Sequence, residues 1–378
     1  MRTKVLLMAM SAIALGTSSC SNDEVTEINK GNEIRFTVTS NKASRATATT
    51  TESITEFKVY AFNGATAVPG LSPATVSRTP GENDWSYGTP VPWPAGNIDF
   101  FSFSPVDITG LNVGSNPISL TNYTVTDGKT DLLYAFNNDL TKDATAQVPI
   151  NFRHALSQII IKAKNTKVSD GVIIKVKGVK IGNVKSQASL VWPTETTSPT
   201  LDGETGQETQ SGNSWGTWTT TTVTNNYSTD NFTEEITLTN EAQELKNAAT
   251  PADGSALFLM PQTLVPWVPT PASKPLLSTD GSHLLINCNI TVNGTVIWPE
   301  DGSANFDEVA IPLTSPEGNV WKQGKKYVYT LVFGEGFGYD PDTEEPITSA
   351  DVQFIVTVDD YQEKNSTSDV DMKVDEDE

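Results

Sequence analysis

The sequence is short of the side chains from which chemical sites are built. It has two cysteines and two histidines in 378 residues, too few for a zinc cluster, a disulfide framework or a set of imidazole bases. Basic residues are scarce too: 25 Lys and Arg stand against 46 Asp and Glu, a formal net charge of −21. A chain of that sign repels a phosphate backbone, so no nucleic-acid partner is expected, nor adsorption to anionic lipid through a basic patch. The apolar run Val5 to Leu15 is too short to span a bilayer permanently. Apolar residues make up 37%, a little low, yet enough for two modest cores in domains of about 100–200 residues each. No metal and no cofactor are expected, and the composition leans away from an enzyme.

The start of the chain reads as an address. Arg2 and Lys4 form a basic region before the apolar run, and Gly16-Thr17-Ser18-Ser19 leads to Cys20. A cysteine directly after small residues resembles the lipobox of bacterial lipoproteins, in which the thiol is diacylated and becomes the mature N-terminus. Thr17 departs from the usual Leu, as the relaxed lipoboxes of Bacteroidetes-like bacteria allow. Ordinary secretory cleavage would leave Cys20 a free thiol, a liability in an oxidising compartment; lipidation is the favoured reading. The tract Ser21-Asn22-Asp23-Glu24 resembles their surface-export signal. Two acyl chains anchor a protein stably where one is marginal. The other cysteine, Cys288, lies in an apolar run and is expected as a buried core thiol.

Beyond the leader the pattern is nearly all strand. Glu33 to Val38 alternates, placing Ile34, Phe36 and Val38 on one face. Phe57 to Phe62 does the same before an Asn63-Gly64 hairpin signal. Further strands are expected at 159–161, 172–176, 179–184, 257–260 and 327–333, with one short helix from Glu241 to Ala249. Many short strands separated by turn residues indicate an all-β fold of β-sandwiches. The polar stretch Asn165 to Gly171 suggests a boundary, giving a signal peptide (1–19), an acidic tether (20–32), sandwiches at 33–167 and 168–362, and an acidic tail (363–378). Residues 193–230, rich in Thr, Ser and Gly, read as a long excursion within the second domain.

Motifs that spell chemistry fail on context. Gly212-Asn213-Ser214-Trp215-Gly216 matches a nucleophile elbow by letter, but strand-type or loop residues follow where a helix is required. His154 and His283 sit in strand-like surroundings, and no acid–His pair can be assigned. Asp340 to Glu345 has oxygen ligands at calcium-like spacing without the required glycine, and reads as a solvated acidic loop. Gly334-Glu335-Gly336-Phe337-Gly338 is no dinucleotide fingerprint. Of the tryptophans, the pair Trp215 and Trp218 is the candidate glycan contact; core or rim packing accounts for most of the others.

An ordered set of segments resembles the fimbrillin family, which builds the type V pili of Bacteroidetes-like bacteria. They are Ile34-Arg35-Phe36, Ser44-Arg45-Ala46-Thr47, Phe57 to Phe62, Asp131 to Ala135, Phe152-Arg153-His154-Ala155-Leu156-Ser157, Leu257 to Gln262 and Trp321 to Tyr329. They span roughly residues 33 to 362. The resemblance implies two tandem transthyretin-like β-sandwich domains and assembly by strand exchange. In the family, an arginine-specific protease cuts a loop and releases the first strand. Here Arg45 and Ala46 lie in a small, polar stretch suited to proteolysis, although an ordinary solvated arginine fits that local sequence equally well.

Cutting there would separate Ile34, Phe36 and Val38, together with lipidated Cys20, from everything downstream. The donor is then expected at the other end, where Val352, Phe354, Val356 and Val358 alternate. The acidic tail, with Val370, Met372 and Val374 in alternation, reads as a disordered end rather than a second donor. The reading is a fimbrial subunit, structural or adhesive. It reaches the outer membrane and cell surface through the lipoprotein export machinery, and its partners are other fimbrial subunits and a maturation protease. The alternative is a lipoprotein adhesin that keeps its anchor and binds a host receptor, glycan or protein, without polymerising.

Overall fold

The computed structural model describes residues 32–39, 53–82, 84–114, 117–142, 147–197, 212–229, 232–247, 256–269, 281–334, 336–347 and 353–360. The regular secondary structure of these residues is almost wholly strand. The exceptions are two three-residue 3-10 turns and the four-residue helical turn Pro316–Asn319. No helix among them is long and apolar enough to cross a membrane.

The first strand, Phe36–Thr39, runs parallel to Val148–Asn151 in a two-stranded sheet. A six-stranded sheet orders Arg153–His154, Leu133–Leu140, Ile98–Ser104 and Glu56–Asn63, the last pairing with both Thr66–Ala67 and Ala74–Ser77. Its run Phe100-Phe101-Ser102-Phe103 is buried at consecutive positions because the sheet is covered on both faces. Phe100 turns to one buried cluster with Phe36, Phe57, Val59 and Ile150. Phe101 and Phe103 turn to a second and larger cluster, which continues through Trp192 to Tyr329 and Phe337.

Strand pairing interlaces the two halves of the chain. Ser119–Thr124 pairs with Gln187–Val191, and Ser157–Asn165 runs parallel to Lys325–Phe333 over eight registered pairs. Both pairings cross residue 167. The long strand Val172–Lys185 lies antiparallel to His283–Val292. Its inward residues Ile174, Val176, Val179 and Ile181 are buried while Lys177 and Lys180 face solvent, the alternation expected of a sheet with one wet face.

Three local expectations are corrected. Glu241 to Ala249 is not helical where it is described: Gln243–Glu244 is an edge strand on Lys162 and Ala163. The Leu245 N–H donates to Ile161 O at 2.9 Å and its side chain is fully buried, so tertiary pairing overrides a modest helical preference. The hairpin at Asn63-Gly64 forms one residue later, because Asn63 pairs with Thr66 and Gly64-Ala65 make the turn. Gly64 there takes φ 59°, which a residue without Cβ adopts freely. The acidic loop is solvated only in part: Asp342, Thr343 and Glu345 are exposed. Asp340 and Glu344 are buried; Asp340 accepts from the Asp342 N–H at 2.8 Å and the Thr343 hydroxyl at 2.7 Å, so the carboxylate caps its own turn.

Candidate functional site

The alternation of Ile34, Phe36 and Val38 has a physical reason in the fold. Ile34 and Phe36 are 1% and 3% exposed, and Val38 packs half-buried beside them. The Phe36 ring sits in an aromatic box, with ring centroids at 5.9 Å from Phe57, 5.5 Å from Tyr87 and 5.9 Å from Phe100, all edge-to-face. Backbone contacts hold the segment in place. The Ile34 N–H donates to Val91 O at 2.9 Å and the Val148 N–H to Arg35 O at 2.7 Å. The Tyr87 hydroxyl donates to Ile34 O at 2.7 Å. Among the described residues Val148–Asn151 is the strand's only sheet partner. A strand that fills a core pocket yet touches one neighbouring strand is a plug. Withdrawn, it would bare the aromatic box and the unpaired backbone of Val148–Asn151, a ready acceptor for another strand.

The last strand, Gln353–Asp360, is the edge of its sheet and pairs antiparallel with Lys325–Phe333. Val356 and Val358 pack against the large core, Ile355 is 44% exposed on the other face, and Phe354 stands opposite Leu331. Cys20, Arg45, Ala46 and Val352 lie outside the described residues.

A third cluster gathers segments far apart in the sequence. His154 Nδ1 lies 2.9 Å and 3.1 Å from the two carboxylate oxygens of Asp131, and both side chains are buried. The Arg153 guanidinium lies 4.3 Å from the Trp215 ring centre and donates through Nε to Ser214 O at 3.1 Å. Tyr134 Oη accepts from the Gly216 N–H at 2.8 Å and donates to Gln323 Oε1 at 3.1 Å, and Gln323 Nε2 donates to Gly216 O at 2.7 Å. Trp218 Nε1 donates to Ala155 O at 2.7 Å, and the Ser157 hydroxyl donates to Lys322 O at 2.9 Å. Nearby, burial and the acidic Asp131, Asp127 and Asp107 push the Tyr123 hydroxyl up to about 12.

This arrangement bears on the expected sites. An acid–His pair does exist, hidden in the sequence by a separation of 23 residues. Gly212–Ser214 is a 3-10 turn running into the strand Thr217–Thr220, without the helix that positions a nucleophile. Trp215 and Trp218 are half-buried and engaged inside the fold, where they tie the loop to Arg153 and Ala155. Among the described residues no group of three or more His, Cys, Asp or Glu could hold a metal ion. Cys288 is fully buried, and burial pushes its thiol well above the usual range. In a Cys20→Ser chain it is expected to resist a disulfide reagent until denaturant is added. Rapid labelling of the native chain would contradict that burial.

Among protein families, the fimbrillin-like model matches residues 44–353. No curated protein matches. Among solved structures, a fimbrial protein from Bacteroides vulgatus ATCC 8482 is 16% identical, with a TM-score of 0.54 over 87% of this chain and 99% of that one. A candidate cell adhesion protein from Bacteroides uniformis ATCC 8492 is 15% identical, with a TM-score of 0.44 over 87% and 98%. The tip fimbrial protein Mfa3 of Porphyromonas gingivalis, with a C-terminal truncation, is 9% identical, with a TM-score of 0.37 over 84% and 98%. The first of these shares the fold.

Proposed function

Since the chain belongs to the fimbrillin-like family, we propose that it is a subunit of a cell-surface fimbria. It is exported as a lipoprotein through Cys20, cut after Arg45, and joined to other fimbrial subunits by exchange of its first strand. The observation that carries this reading is the plug geometry: Ile34 and Phe36 fill the core of the first half of the chain through a strand with one sheet neighbour. Arg45 stands between that strand and the next described residue, so a cut there leaves the plug attached by noncovalent contacts alone. The donor is the C-terminal strand, an edge strand carrying Val356 and Val358. Before the cut the protein is held on the outer membrane; afterwards it resides in the fimbrium.

The test is to treat the purified chain lacking residues 1–19, with Cys20→Ser, with an arginine-specific protease. The new N-terminus is then read and SDS-resistant ladders are sought. Cleavage at Arg45-Ala46 with ladders is the expected result, and Arg45→Ala should abolish both. A native chain that is never cut there would sink the maturation step. Ladders from the Arg45→Ala variant would sink the role of that arginine.

A further inference from the structure

The plug is held from a second side. Residues 85–93, on the way from the strand Ala74–Ser77 to the strand Ile98–Ser104, run alongside its first residues as a strap. Glu33 and Pro92 form an antiparallel bridge. On either side of it the Ile34 N–H donates to Val91 O at 2.9 Å and the Trp93 N–H to Asn32 O at 2.8 Å. The Tyr87 hydroxyl ties the two partners together, donating to Ile34 O at 2.7 Å and accepting from the Val91 N–H at 3.3 Å. Burial raises that hydroxyl above its ordinary range, so it stays protonated and able to donate.

The strap forms no strand of its own. Pro90 and Pro92 have no N–H to give, and both are exposed, as are Gly88 and Thr89. Its attachments to the body are few. Ser77 and Ser86 exchange two backbone bonds of 2.8 Å, the Trp85 ring lies 5.1 Å from Phe57, and Trp93 lies 6.0 Å from Phe100. Between Ser86 and Trp93 the hydrogen bonds that hold it run to the plug or to its own Tyr87. A segment with so exposed a backbone and so few anchors opens at lower free energy than the sheets around it.

We infer that residues 85–93 are a latch on the first strand: once the chain is cut, the plug leaves when this strap lifts, and the lifting sets the rate. This rests on the release of the first strand proposed above and adds what controls it. The plug is bounded on one edge by Val148–Asn151 and, over its first residues, on the other by the strap. The Phe36 ring meets Phe57 and Phe100 from the body and Tyr87 from the strap, so withdrawing that ring displaces Tyr87. A cut downstream of Thr39 breaks none of these contacts. Cleavage therefore permits exchange without starting it, and a cut subunit keeps its groove filled and its strand edge covered until the latch opens.

The experiment uses the full chain from residue 20, with Cys20→Ser and a specific protease site inserted between residues 40 and 52, so that it does not depend on Arg45. After cutting, loss of a label on the N-terminal fragment is followed by size exclusion. Unlabelled peptide of residues 33–39 is present in excess to block rebinding. Pro90→Gly changes the strap at an exposed position and is expected to speed release about 3-fold, because a freer backbone gains more on opening. Tyr87→Phe keeps the ring, removes both bonds of the hydroxyl, and should speed it about 10-fold. Ser77→Cys with Ser86→Cys places a disulfide across a hydrogen-bonded antiparallel pair. Tethering the strap at its base in this way should slow release about 10-fold, and reduction should restore it. Lys58→Cys with Thr75→Cys braces the sheet at another registered pair without touching the strap, and should leave the rate unchanged.

A rate that responds to Tyr87→Phe alone, and to neither Pro90→Gly nor the Ser77–Ser86 disulfide, would overturn the latch and leave the strap a passive wall of the groove. Equal slowing by the two disulfides would overturn it as well, since general bracing would then explain the effect. Release that follows the strap, from chains that form no ladders, would uphold the latch and sink strand exchange. A plug that never leaves any variant would sink both.

Discussion

Phe36→Ala is expected to lower the stability of the first half of the chain by about 3–5 kcal/mol, the range for removing a buried aromatic ring from a core that closes only partly behind it. Phe36 is 3% exposed and meets three rings edge-on, so truncation costs both its own burial and its part in the aromatic cluster. The measurement is urea unfolding followed by tryptophan fluorescence. Trp93, 6.0 Å from Phe100, and Trp85, 5.1 Å from Phe57, report on that core. Thr37→Ala, on the part-covered face of the same strand, is the control and should change stability by no more than about 0.5 kcal/mol. A Phe36→Ala effect as small as the control's would mean that the strand merely rests on the sheet. The same substitution should speed loss of the plug fragment after nicking, since its hold on the core is then weaker while its backbone pairing is unchanged.

That an isolated parallel pair should carry so much follows from side chains that were legible in the sequence. Ile34, Phe36 and Val38 alternate with polar residues, and a period of two names a buried face without naming what buries it. The box of Phe57, Tyr87 and Phe100 was not legible, because three separate segments build it and only the sheet's order brings them together. Phe100-Phe101-Ser102-Phe103 shows the same boundary of inference. Consecutive phenylalanines announce burial on both faces, yet nothing local tells that the cluster on one face comes from residues 34–150 while that on the other draws on both halves of the chain. Glu241 to Ala249 shows it again, since its composition permits a helix and the free edge of Ser157–Asn165 recruits it as a strand. The Asp131–His154 pair was missed for want of any local signal. Its partners lie 23 residues apart on either side of the Leu133–Leu140 strand, and neither neighbourhood looks chemical. What could have found it is the resemblance itself: the segments 131–135, 152–157 and 321–329 that carried it meet in one cluster.

That meeting gives the second large effect. Asp131→Ala removes the acceptor of a buried histidine nitrogen and leaves a void beside His154. A cost of about 3 kcal/mol is expected, as when one member of a buried polar pair is deleted. Asp131→Asn keeps an oxygen within reach of His154 Nδ1 and should cost less. Stability alone would not separate a lost pair from a simple cavity, so the decisive measurement is the double-mutant cycle with His154→Ala. A coupling energy of about 1–3 kcal/mol is expected for two groups at hydrogen-bond distance in a shared network. Additive losses would mean that Asp131 and His154 each support the fold separately. The cluster would then be a set of independent contacts. A coupled cluster would fix Arg153, Trp215 and Gln323 as one joint between the sheet behind the plug and the sheet that carries the last strand. Under the strand exchange proposed above such a joint would matter, because it would link the sheet that carries the last strand to the sheet behind the first. The residues between would have to hold one geometry.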